Sequence, residues 1–475
     1  MESTSLDLVL TTALEGRMKD LRTRQCILRA LHAKLVENAD DLLRATVEDD
    51  RVSHEEAQVI LSASLSELRA HYDRLDLKEE LEAEYSIARK ESCLNNRVPF
   101  GIAYVVPDVY AAVFSIITAL SAAITAGNCV VIELQDSLRR CPSVLRHCLA
   151  DLQYNDAVST VAKRPGPEFL RHCLLVDQMM ENNSEQSECL HLLASTPQRT
   201  VAIVDRTADA SAAAKEIVAS RFLFQGQGRY SVDQVFINEY VIEAFHIALM
   251  KEIAASLTIR DSKLEANDPR GTTPRPKVAS EKPGLPVLEI RDRSDTLLHR
   301  RQKTLGVIIH KVTSLDDAID TISESGQRLG ALYLFAGSDE AKYLSQFISS
   351  RTTFVNHIPP ELQIGPAYPE GFETSSALRY TREMFETPRP ERVDDGKVRH
   401  SMTLWNHIKD GKSPLILSKA CRPLKPTGQG KAGAMDFFLQ GMILNMVVCV
   451  LPLAALSVVA TGKGISFLYQ RFLSH

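Results

Sequence analysis

Cysteine is missing from residues 190–420, although the 475-residue chain contains nine cysteines. Seven of them precede residue 190, and the other two are Cys421 and Cys449. Because their spacing is irregular in so long a chain, we expect reduced cytosolic thiols rather than a disulfide framework. The long cysteine-free stretch excludes a thiol nucleophile supplied by its own residues.

The chain also lacks an excess of basic charge, since its formal net charge is -5. Nucleic-acid-binding proteins usually present a clustered basic face, so we expect no nucleic-acid partner. A signal-peptide core is missing near the N-terminus, because Leu8-Val-Leu10 is too short an apolar run and acidic residues flank it. With 44% hydrophobic and 24% charged residues, the composition is that of a globular protein of two or three domains.

Residues 437–461 contain no charged side chain at all. As one helix, these 25 residues would be about 37 Å long, against roughly 30 Å of bilayer hydrocarbon. We predict a single-pass C-terminal transmembrane helix, with a buried core helix as the alternative. Six basic residues in 409–431 precede the segment and only two follow it, which predicts a cytoplasmic main domain.

Apolar residues recur at helical spacing in residues 1–90, which predicts a mainly helical segment. From residue 102 onward, short β-rich runs alternate with helical segments, as in an α/β protein whose parallel strands are buried on both faces. Residues 261–303 interrupt this alternation with five prolines among many charges and are predicted to form an irregular loop. The predicted strands begin at Ile102, Cys129, Thr200, Val235, Gly306 and Ala331, and the predicted helices cover 111–126, 209–224, 241–257 and the stretches after Ser314 and Ser338.

One run carries a family resemblance: Phe222-Leu-Phe-Gln-Gly-Gln-Gly-Arg229-Tyr-Ser-Val-Asp233. Read from Arg221, it resembles the pattern R-F-x-N-x-G-Q-x-C-x-x-x-D of the aldehyde dehydrogenase superfamily, with Arg229 in the cysteine slot. Other runs between about residues 95 and 390 resemble the class 3 or fatty aldehyde dehydrogenase-like branch, in the family's order. They are Arg97-Val-Pro-Phe-Gly101, Ala126-Gly-Asn-Cys-Val-Val-Ile132, Leu329-Gly-Ala-Leu-Tyr-Leu-Phe335, Val355-Asn356 and Phe385-Glu-Thr387.

The resemblance implies an α/β protein with two doubly wound Rossmann-type domains, here followed by a C-terminal transmembrane helix. Residues 1–90 would be the helical part of the dinucleotide-binding-like domain, and 91–198 its Rossmann-like part. The catalytic-like domain would cover 199–355, including the loop 261–303. A return or oligomerisation segment at 356–390, a linker at 391–436 and the transmembrane helix at 437–461 would complete the chain. Because this branch has members that end in a membrane helix, we expect the endoplasmic reticulum as the location, and a homo- or heterodimer.

The family reaction needs a thiolate, an oxyanion donor and a general base, and the resemblance identifies the slot of each. Arg229 carries a permanently protonated guanidinium with no lone pair, so it cannot attack a carbonyl. Val109 takes the slot of the donor asparagine, and losing one such donor typically lowers turnover about 100- to 1000-fold. Ser195 takes the slot of the glutamate base, but an unpaired hydroxyl is no base at neutral pH. We therefore assign no catalytic residue and expect a degenerate, inactive member.

The cofactor slots are altered as well. Glu133 replaces the lysine that contacts the adenosine ribose, although a carboxylate can also accept from ribose hydroxyls. No glycine occurs between Gly166 and Gly226, so no backbone there approaches a pyrophosphate as the family's glycine turn does. Arg301 falls near the slot of the glutamate that binds the nicotinamide ribose. We assign no cofactor-binding residue and expect no cofactor; NAD or NADP would be required only if the chain is an oxidoreductase.

Three other constellations suggest chemistry outside these slots. Thiols and imidazoles concentrate between Cys141 and His191, but their irregular spacing favours buried structural cysteines over zinc, so we assign no metal. The basic residues within 291–303 could bind an anionic partner or form a solvated loop. Ser195 or Ser231 would need a histidine base and a G-x-S-x-G elbow to act as an alternative nucleophile, and that elbow is missing.

Three functional hypotheses remain open. The first is a membrane-anchored pseudoenzyme that serves as a scaffold or accessory protein in lipid or secondary-metabolite metabolism, with an unidentified small-molecule ligand. The second is an atypical NAD(P)-dependent oxidoreductase that acts on lipophilic aldehydes. The third is a regulatory subunit that dimerises with an active homologue. Cofactor binding with turnover would favour the second, and co-purification with an active relative would favour the third.

Overall fold

The computed structural model describes residues 2–152, 154, 156–179, 190–194, 198–267, 287–302, 305–374, 377–393, 406–425, 437–452, 457 and 461–463. The chain divides into two compact units, Met1–Val393 and Asp394–His475. The first unit contains a five-stranded sheet, a six-stranded sheet and a two-stranded ribbon. In the ribbon, β1 (Arg97–Pro99) pairs antiparallel with β13 (Glu386–Pro388).

Five helices precede the five-stranded sheet, as the spacing in residues 1–90 predicted. Their apolar stripes are buried: Leu28 and Leu31 of the second helix and Ile60 of the fourth are fully inaccessible. A capping box of Ser53 and Glu56 starts the fourth helix at the point where it approaches the candidate site. The helices are α1 (Glu2–Glu15), α2 (Leu21–Glu37), α3 (Ala39–Asp50), α4 (His54–Asp73) and α5 (Leu77–Glu84).

The five-stranded sheet is entirely parallel and has the order β4-β3-β2-β5-β6. Its central strands are continuous apolar runs because helices cover both faces, as expected for buried parallel strands. The predicted strand–helix–strand unit is confirmed as β2, α6 and β3. The bounds are β2 (Ile102–Val106), α6 (Ala112–Ala126), β3 (Cys129–Glu133), α7 (Arg140–Ala150), β4 (Val158–Val161), α8 (Pro167–Leu170), β5 (Cys173–Asp177) and β6 (Leu190–Leu193).

The six-stranded sheet is also parallel throughout, with the order β12-β11-β7-β8-β10-β9. The predicted strands that begin near Thr200, Val235, Gly306 and Ala331 are confirmed, and Ser314 caps its helix by accepting the N–H of Asp317. The bounds are β7 (Thr200–Val204), α9 (Ala210–Phe222), β8 (Gln234–Asn238), α10 (Ile242–Asn267), β9 (Val287–Ile290), β10 (Val307–Val312), α11 (Leu315–Ser323), β11 (Ala331–Phe335), α12 (Ser338–Phe347) and β12 (Thr353–Val355).

The segment 261–303 is more regular than the sequence predicted, in the parts that the structure describes. Helix α10 continues to Asn267, and β9 pairs in parallel with β10 at the edge of the sheet. All five prolines fall in 268–286, outside the described residues. Edge strand β9 was missed because Leu288 and Glu289 are exposed and only Ile290 is buried, so its pattern is that of a polar loop.

The second unit contains a short helix, Ser413–Ala420, within the predicted linker. A helix at Phe437–Asn445 leads into a π-helical turn at Met446–Val450. Over the residues that the structure describes, no helix combines the length and apolarity needed to cross a bilayer. Much of 453–461 lies outside the described residues, and the transmembrane helix stays a prediction. The domain boundaries predicted from the sequence stay predictions too.

Candidate functional site

The loop that follows α9 has an unusual backbone. Phe224 and Gln225 have φ values of 51° and 57°, and Gly226 follows at 62°, so three consecutive residues are left-handed. Only glycine adopts this region without cost, and asparagine is the next most tolerant residue. Phe224 occupies the asparagine slot of the family pattern, so in this chain a phenylalanine adopts a conformation that asparagine would tolerate better. We call residues 222–233 the reaction loop.

Two contacts from the N-terminal helices hold this backbone in place. The N–H of Phe224 donates to Oε1 of Glu56 at 2.7 Å. The side chain of Gln227 donates from Nε2 to the carbonyl of Asp50 at 3.1 Å. Glu56 also accepts the N–H of the N-cap residue Ser53 in the capping box of α4, so one carboxylate serves both the helix start and the reaction loop. The conformation of the reaction loop is therefore fixed by groups far away in the sequence.

Gly228 allows the reaction loop to approach the segment around Gln363 closely. A Cβ on Gly228 would lie 2.7 Å from the carbonyl oxygen of Gln363 and 2.9 Å from its Oε1, too close for any other residue. Gln363 is held by the hydroxyl of Tyr110, which donates to its carbonyl at 2.9 Å, and donates its own amide to the carbonyl of Tyr230 at 3.3 Å. The glycine before the nucleophile slot is thus needed for packing.

Arg229 forms an ion pair in the slot where the family pattern has cysteine. Its Nε and Nη2 both donate to Oδ2 of Asp108, at 2.9 and 2.6 Å. The Arg229 side chain is 23% exposed and that of Asp108 is 4% exposed. Charge-assisted pairs of this geometry are among the stronger hydrogen bonds in proteins. The centre of the candidate site is therefore filled by a paired guanidinium and carboxylate.

Asp108 is positioned by the chain that follows β2. Its N–H donates to Oε1 of Gln178 at 2.9 Å, and its Oδ1 accepts the N–H of Tyr110 at 3.3 Å. Gln178 is itself buried and donates to the carbonyl of Ser115 at 2.8 Å. Sequence reasoning named the run that contains Asp108 but assigned only its neighbour Val109. Asp108 could have been found from the sequence, because an arginine at position 229 inside the protein needs a carboxylate nearby to balance its charge.

Val109, in the oxyanion-donor slot, is 40% exposed, and among the described residues only its carbonyl takes part in a hydrogen bond. That carbonyl accepts from Nη1 of Arg139 at 2.6 Å, and the same nitrogen lies 3.5 Å from Oδ1 of Asp50. Burial raises the pKa of Asp50 to about 6, opposed by Arg139 and by the N–H of Ala111. The position therefore offers an apolar side chain and a second ion pair rather than a donor for an oxyanion.

A second carboxylate, Asp233, lies at the far end of the reaction loop. It accepts the N–H of Thr200 at 2.8 Å and that of Gln302 at 2.9 Å, and Nη1 of Arg221 lies 3.9 Å away. Burial raises the pKa of Asp233 and lowers that of Arg221. Arg301 donates from Nη2 to the carbonyl of Gly228 at 2.8 Å. The structure thus brings Arg229, Val109 and Arg301 together around one loop.

The two serine candidates differ. Ser195 lies outside the described residues. Ser231 is buried, donates from Oγ to the carbonyl of Ser220 at 2.8 Å and accepts from Nη1 of Arg221 at 3.4 Å. An arginine cannot act as a general base, so Arg221 does not activate the Ser231 hydroxyl.

Glu133, in the ribose slot at the end of β3, already has three hydrogen-bond donors. Its Oε2 accepts from the hydroxyl of Tyr104 at 2.9 Å and from Nε of Arg164 at 3.2 Å, and its Oε1 accepts from Gln135 at 3.0 Å. Burial, followed by the charge of Glu133, raises the pKa of Tyr104. The carboxylate that the sequence offered to ribose hydroxyls is therefore largely satisfied within the chain.

Side chains at the ends of β3 and β5, where the resemblance predicts the cofactor, also make hydrogen bonds within the chain. A surface pocket of about 420 Å³ lies beyond β3, between residues 135 and 146. Arg146, which lines it, is engaged by Asp136 at 3.0 Å and by the carbonyl of Leu134 at 2.7 Å. At the end of β5, where the family has its glycine turn, Gln178 supports Asp108 instead. Arg146 and Gln178 therefore both make hydrogen bonds within the chain.

The remaining candidates do not form a site in the described part of the chain. No group of three or more His, Cys, Asp or Glu residues there could hold a metal ion. Cys141, Cys148 and Cys173 are buried, as the structural interpretation of these cysteines predicted. The basic residues within 291–303 do not share one environment. The Arg291 side chain is 88% exposed, whereas Arg301 contacts the reaction loop.

Comparison with solved structures identifies the architecture around this site. The chain is similar to AldH from Staphylococcus aureus at 16% identity and a TM-score of 0.61, covering 82% of this chain and 93% of that one. It is similar to lactaldehyde dehydrogenase from Escherichia coli at 15% identity and a TM-score of 0.62, covering 81% and 89%. An NAD-dependent benzaldehyde dehydrogenase from Corynebacterium glutamicum gives 14% identity and a TM-score of 0.55, covering 81% and 88%.

No protein-family model matches the sequence, and no curated protein matches it. The structural similarity shows that the chain has the α/β fold of aldehyde dehydrogenases, as the sequence motifs predicted. Assignment to the class 3 branch, the degenerate status and the membrane anchor stay predictions.

Proposed function

We propose that this protein is a pseudoenzyme: an aldehyde dehydrogenase-like scaffold or accessory protein that does not oxidise aldehydes. The observation that carries the proposal is the ion pair of Arg229 with Asp108 in the nucleophile slot. Acyl transfer from an aldehyde needs a nucleophile with a free electron pair, and a paired guanidinium has none. The pair also occupies the space in which the carbonyl carbon would have to react.

The neighbouring groups strengthen this proposal. The Val109 side chain cannot donate to an oxyanion, and the Arg139 guanidinium beside it is turned toward the carbonyl of Val109 and toward Asp50. Glu133 has donors on both carboxylate oxygens, which weakens the case for a bound dinucleotide. Restoring the reaction would therefore require several simultaneous changes.

Purified full-length protein should bind neither NAD nor NADP in a saturable way and should not reduce either with hexanal or decanal. Arg229→Cys should remain inactive, because Val109 remains and because the new thiol would face the unpaired carboxylate of Asp108. A nearby negative charge disfavours the thiolate. Calorimetry for cofactor binding and the absorbance of reduced nicotinamide for turnover provide the measurements.

Arg229→Ala is the matched control, since it removes the guanidinium without supplying a nucleophile. Wild-type turnover above that of Arg229→Ala would contradict the proposal and favour the NAD(P)-dependent oxidoreductase. Recovery of activity by Arg229→Cys alone would show that the slots of Val109 and Ser195 are assigned wrongly. Co-purification with an active homologue would identify the protein as a regulatory subunit.

The membrane anchor at residues 437–461 is a separate hypothesis. We expect the full chain to stay in the membrane pellet after alkaline carbonate extraction, because its uncharged C-terminal segment is long enough to span a bilayer. A chain that ends at Ala432 should be released under the same conditions. Release of the full chain would reject the anchor and leave the proposed lack of activity untouched.

A further inference from the structure

Residues 406–425, in the second compact unit, are strongly basic although the chain as a whole is acidic. They contain five basic residues and one acidic residue, which gives a formal charge of +4 with histidine counted as neutral, whereas the whole chain carries -5. We call residues 406–425 the basic segment. Its charged residues are Lys409, Asp410, Lys412, Lys419, Arg422 and Lys425.

Most of this positive charge is not compensated within the basic segment. The carboxylate of Asp410 accepts from Nζ of Lys412 at 3.1 Å. Among the described residues, no carboxylate lies within ion-pair distance of the other four basic side chains, and all four are exposed. An anionic surface can therefore contact them without first breaking an ion pair.

Aliphatic side chains are exposed between these charges. Leu415 and Leu417, in the helix Ser413–Ala420, are 59% and 65% exposed, and Leu424 is 95% exposed. None of the eight residues of that helix is buried. A single exposed leucine is ordinary on a protein surface, but several in one short segment indicate an interaction surface.

The backbone of the basic segment forms hydrogen bonds within the segment. The N–H of Lys412 donates to the carbonyl of His407 at 2.8 Å, across a turn in which Gly411 has a φ of 65°. At the end of the helix, the N–H of Cys421 donates to the carbonyl of Leu417 at 2.9 Å. A partner therefore contacts the side chains of the segment rather than its backbone.

We propose that the basic segment binds the surface of a phospholipid bilayer that contains anionic lipids. Its basic side chains contact the lipid phosphates, and Leu415, Leu417 and Leu424 enter the boundary between headgroups and acyl chains. Basic segments with exposed apolar side chains bind such surfaces through both contributions. This inference goes beyond the proposed function and does not depend on the lack of aldehyde oxidation.

Two features of the sequence favour a bilayer over another anionic partner. Proteins that bind single-stranded nucleic acid combine basic grooves with aromatic side chains that stack on the bases, and the basic segment contains no Phe, Tyr or Trp. The uncharged residues 437–461 begin twelve positions after Lys425, a length of chain that spans at most about 40 Å when extended. The membrane predicted for residues 437–461 is therefore within reach of the basic segment.

The only tryptophan of the chain, Trp405, directly precedes the basic segment and allows a local measurement on the full chain. We expect its fluorescence emission to move to shorter wavelength with vesicles of phosphatidylcholine and phosphatidylserine, and not with vesicles of phosphatidylcholine alone. High salt should reverse the shift, because it screens interactions between exposed charges. The emission of Trp405 reports on the basic segment whether or not residues 437–461 insert into the bilayer.

A chain that ends at Ala432 measures the affinity, since it keeps the first compact unit and the whole basic segment and lacks residues 437–461. It should float with vesicles that contain phosphatidylserine. Lys419→Gln combined with Arg422→Gln should weaken this binding about 25-fold, at roughly fivefold for each charge near an anionic surface. Alkaline carbonate neutralises lysines and screens charge, so release of the shortened chain under those conditions is still expected.

Two further double variants separate the contributions. Arg44→Gln combined with Arg291→Gln removes the same charge from side chains of the first unit that are 70% and 88% exposed, and should leave vesicle binding unchanged. Leu415→Ser combined with Leu417→Ser keeps every charge and should also weaken binding, because the apolar contribution is lost.

Equal emission of Trp405 with neutral and anionic vesicles would contradict the proposal, as would equal losses in the two arginine- and lysine-depleted double variants. Preference for transfer RNA over vesicles would assign the basic segment to nucleic acid instead. Displacement of the vesicles by inorganic phosphate at the same phosphate concentration would assign it to a free anion. Absence of lipid binding would leave the proposed lack of activity untouched, and oxidation of an aldehyde would leave lipid binding untouched.

Discussion

Arg379→Met should lower the free energy of unfolding by about 4 kcal/mol, because it leaves buried carbonyl groups without donors. Arg379 is 1% exposed and donates to the carbonyls of Pro366, Glu361 and Ile364. Its guanidinium also lies 4.4 Å from the ring centroid of Tyr368, a distance at which a cation is attracted to the ring. Methionine fills much of the same volume and replaces none of these donors.

Urea denaturation, followed by circular dichroism, provides the measurement. Arg379→Lys should lose most of the same stability, since a single ammonium cannot reproduce the planar fork that reaches several carbonyls. Arg291→Met is the matched control, and its exposed position predicts a change within about 0.5 kcal/mol. Equal midpoints for Arg379→Met and the control would show that this arginine does not organise the segment around residues 361–366.

Arg229→Ala should cost about 3 kcal/mol and Asp108→Ala about 1.5 kcal/mol, an asymmetry that follows from their different burial. Without Arg229, the carboxylate of Asp108 stays buried and loses its two strongest donors. Without Asp108, the Arg229 side chain is already 23% exposed and can turn toward water. The two members of the pair are therefore not equivalent.

A double-mutant cycle measures this coupling directly. Arg229→Ala combined with Asp108→Ala should be more stable than Arg229→Ala alone, because removing the stranded carboxylate relieves its desolvation. Thermal and urea midpoints of the four proteins provide the cycle. Additive losses would mean that the two residues act independently, and a larger loss in Asp108→Ala would reverse the assignment of the more buried partner.

Much of the fold could be predicted because its parallel strands are continuous apolar runs. The runs from Ile102 and Ala331 are buried on both faces, and such runs are distinct in a sequence. Strand β9 could not be found in this way, because Leu288 and Glu289 are exposed at the sheet edge. The order of the family-like motifs along the chain then predicted how these strands and helices are arranged in the fold.

The site could be predicted only where the family pattern has a slot. Arg229, Val109 and Arg301 were found by comparing each slot with its residue, and the structure brings them to one loop. Asp108 and Gln178 were missed because their roles depend on contacts across the sheet, which no local spacing encodes. The sequence indicated that Glu133 can accept hydrogen bonds from ribose hydroxyls. In the structure Glu133 accepts hydrogen bonds from Tyr104 and Arg164.

The attachments of residues 222–233 to Glu56 and Asp50 involve main-chain atoms of the loop or a side chain outside its chemical slot. These backbone contacts do not depend on the side chain at position 229, although the stability of the protein does depend on it through Asp108. The architecture can therefore persist with a different group in the reacting position, so inheritance of the architecture carries no guarantee that the chemistry was inherited with it.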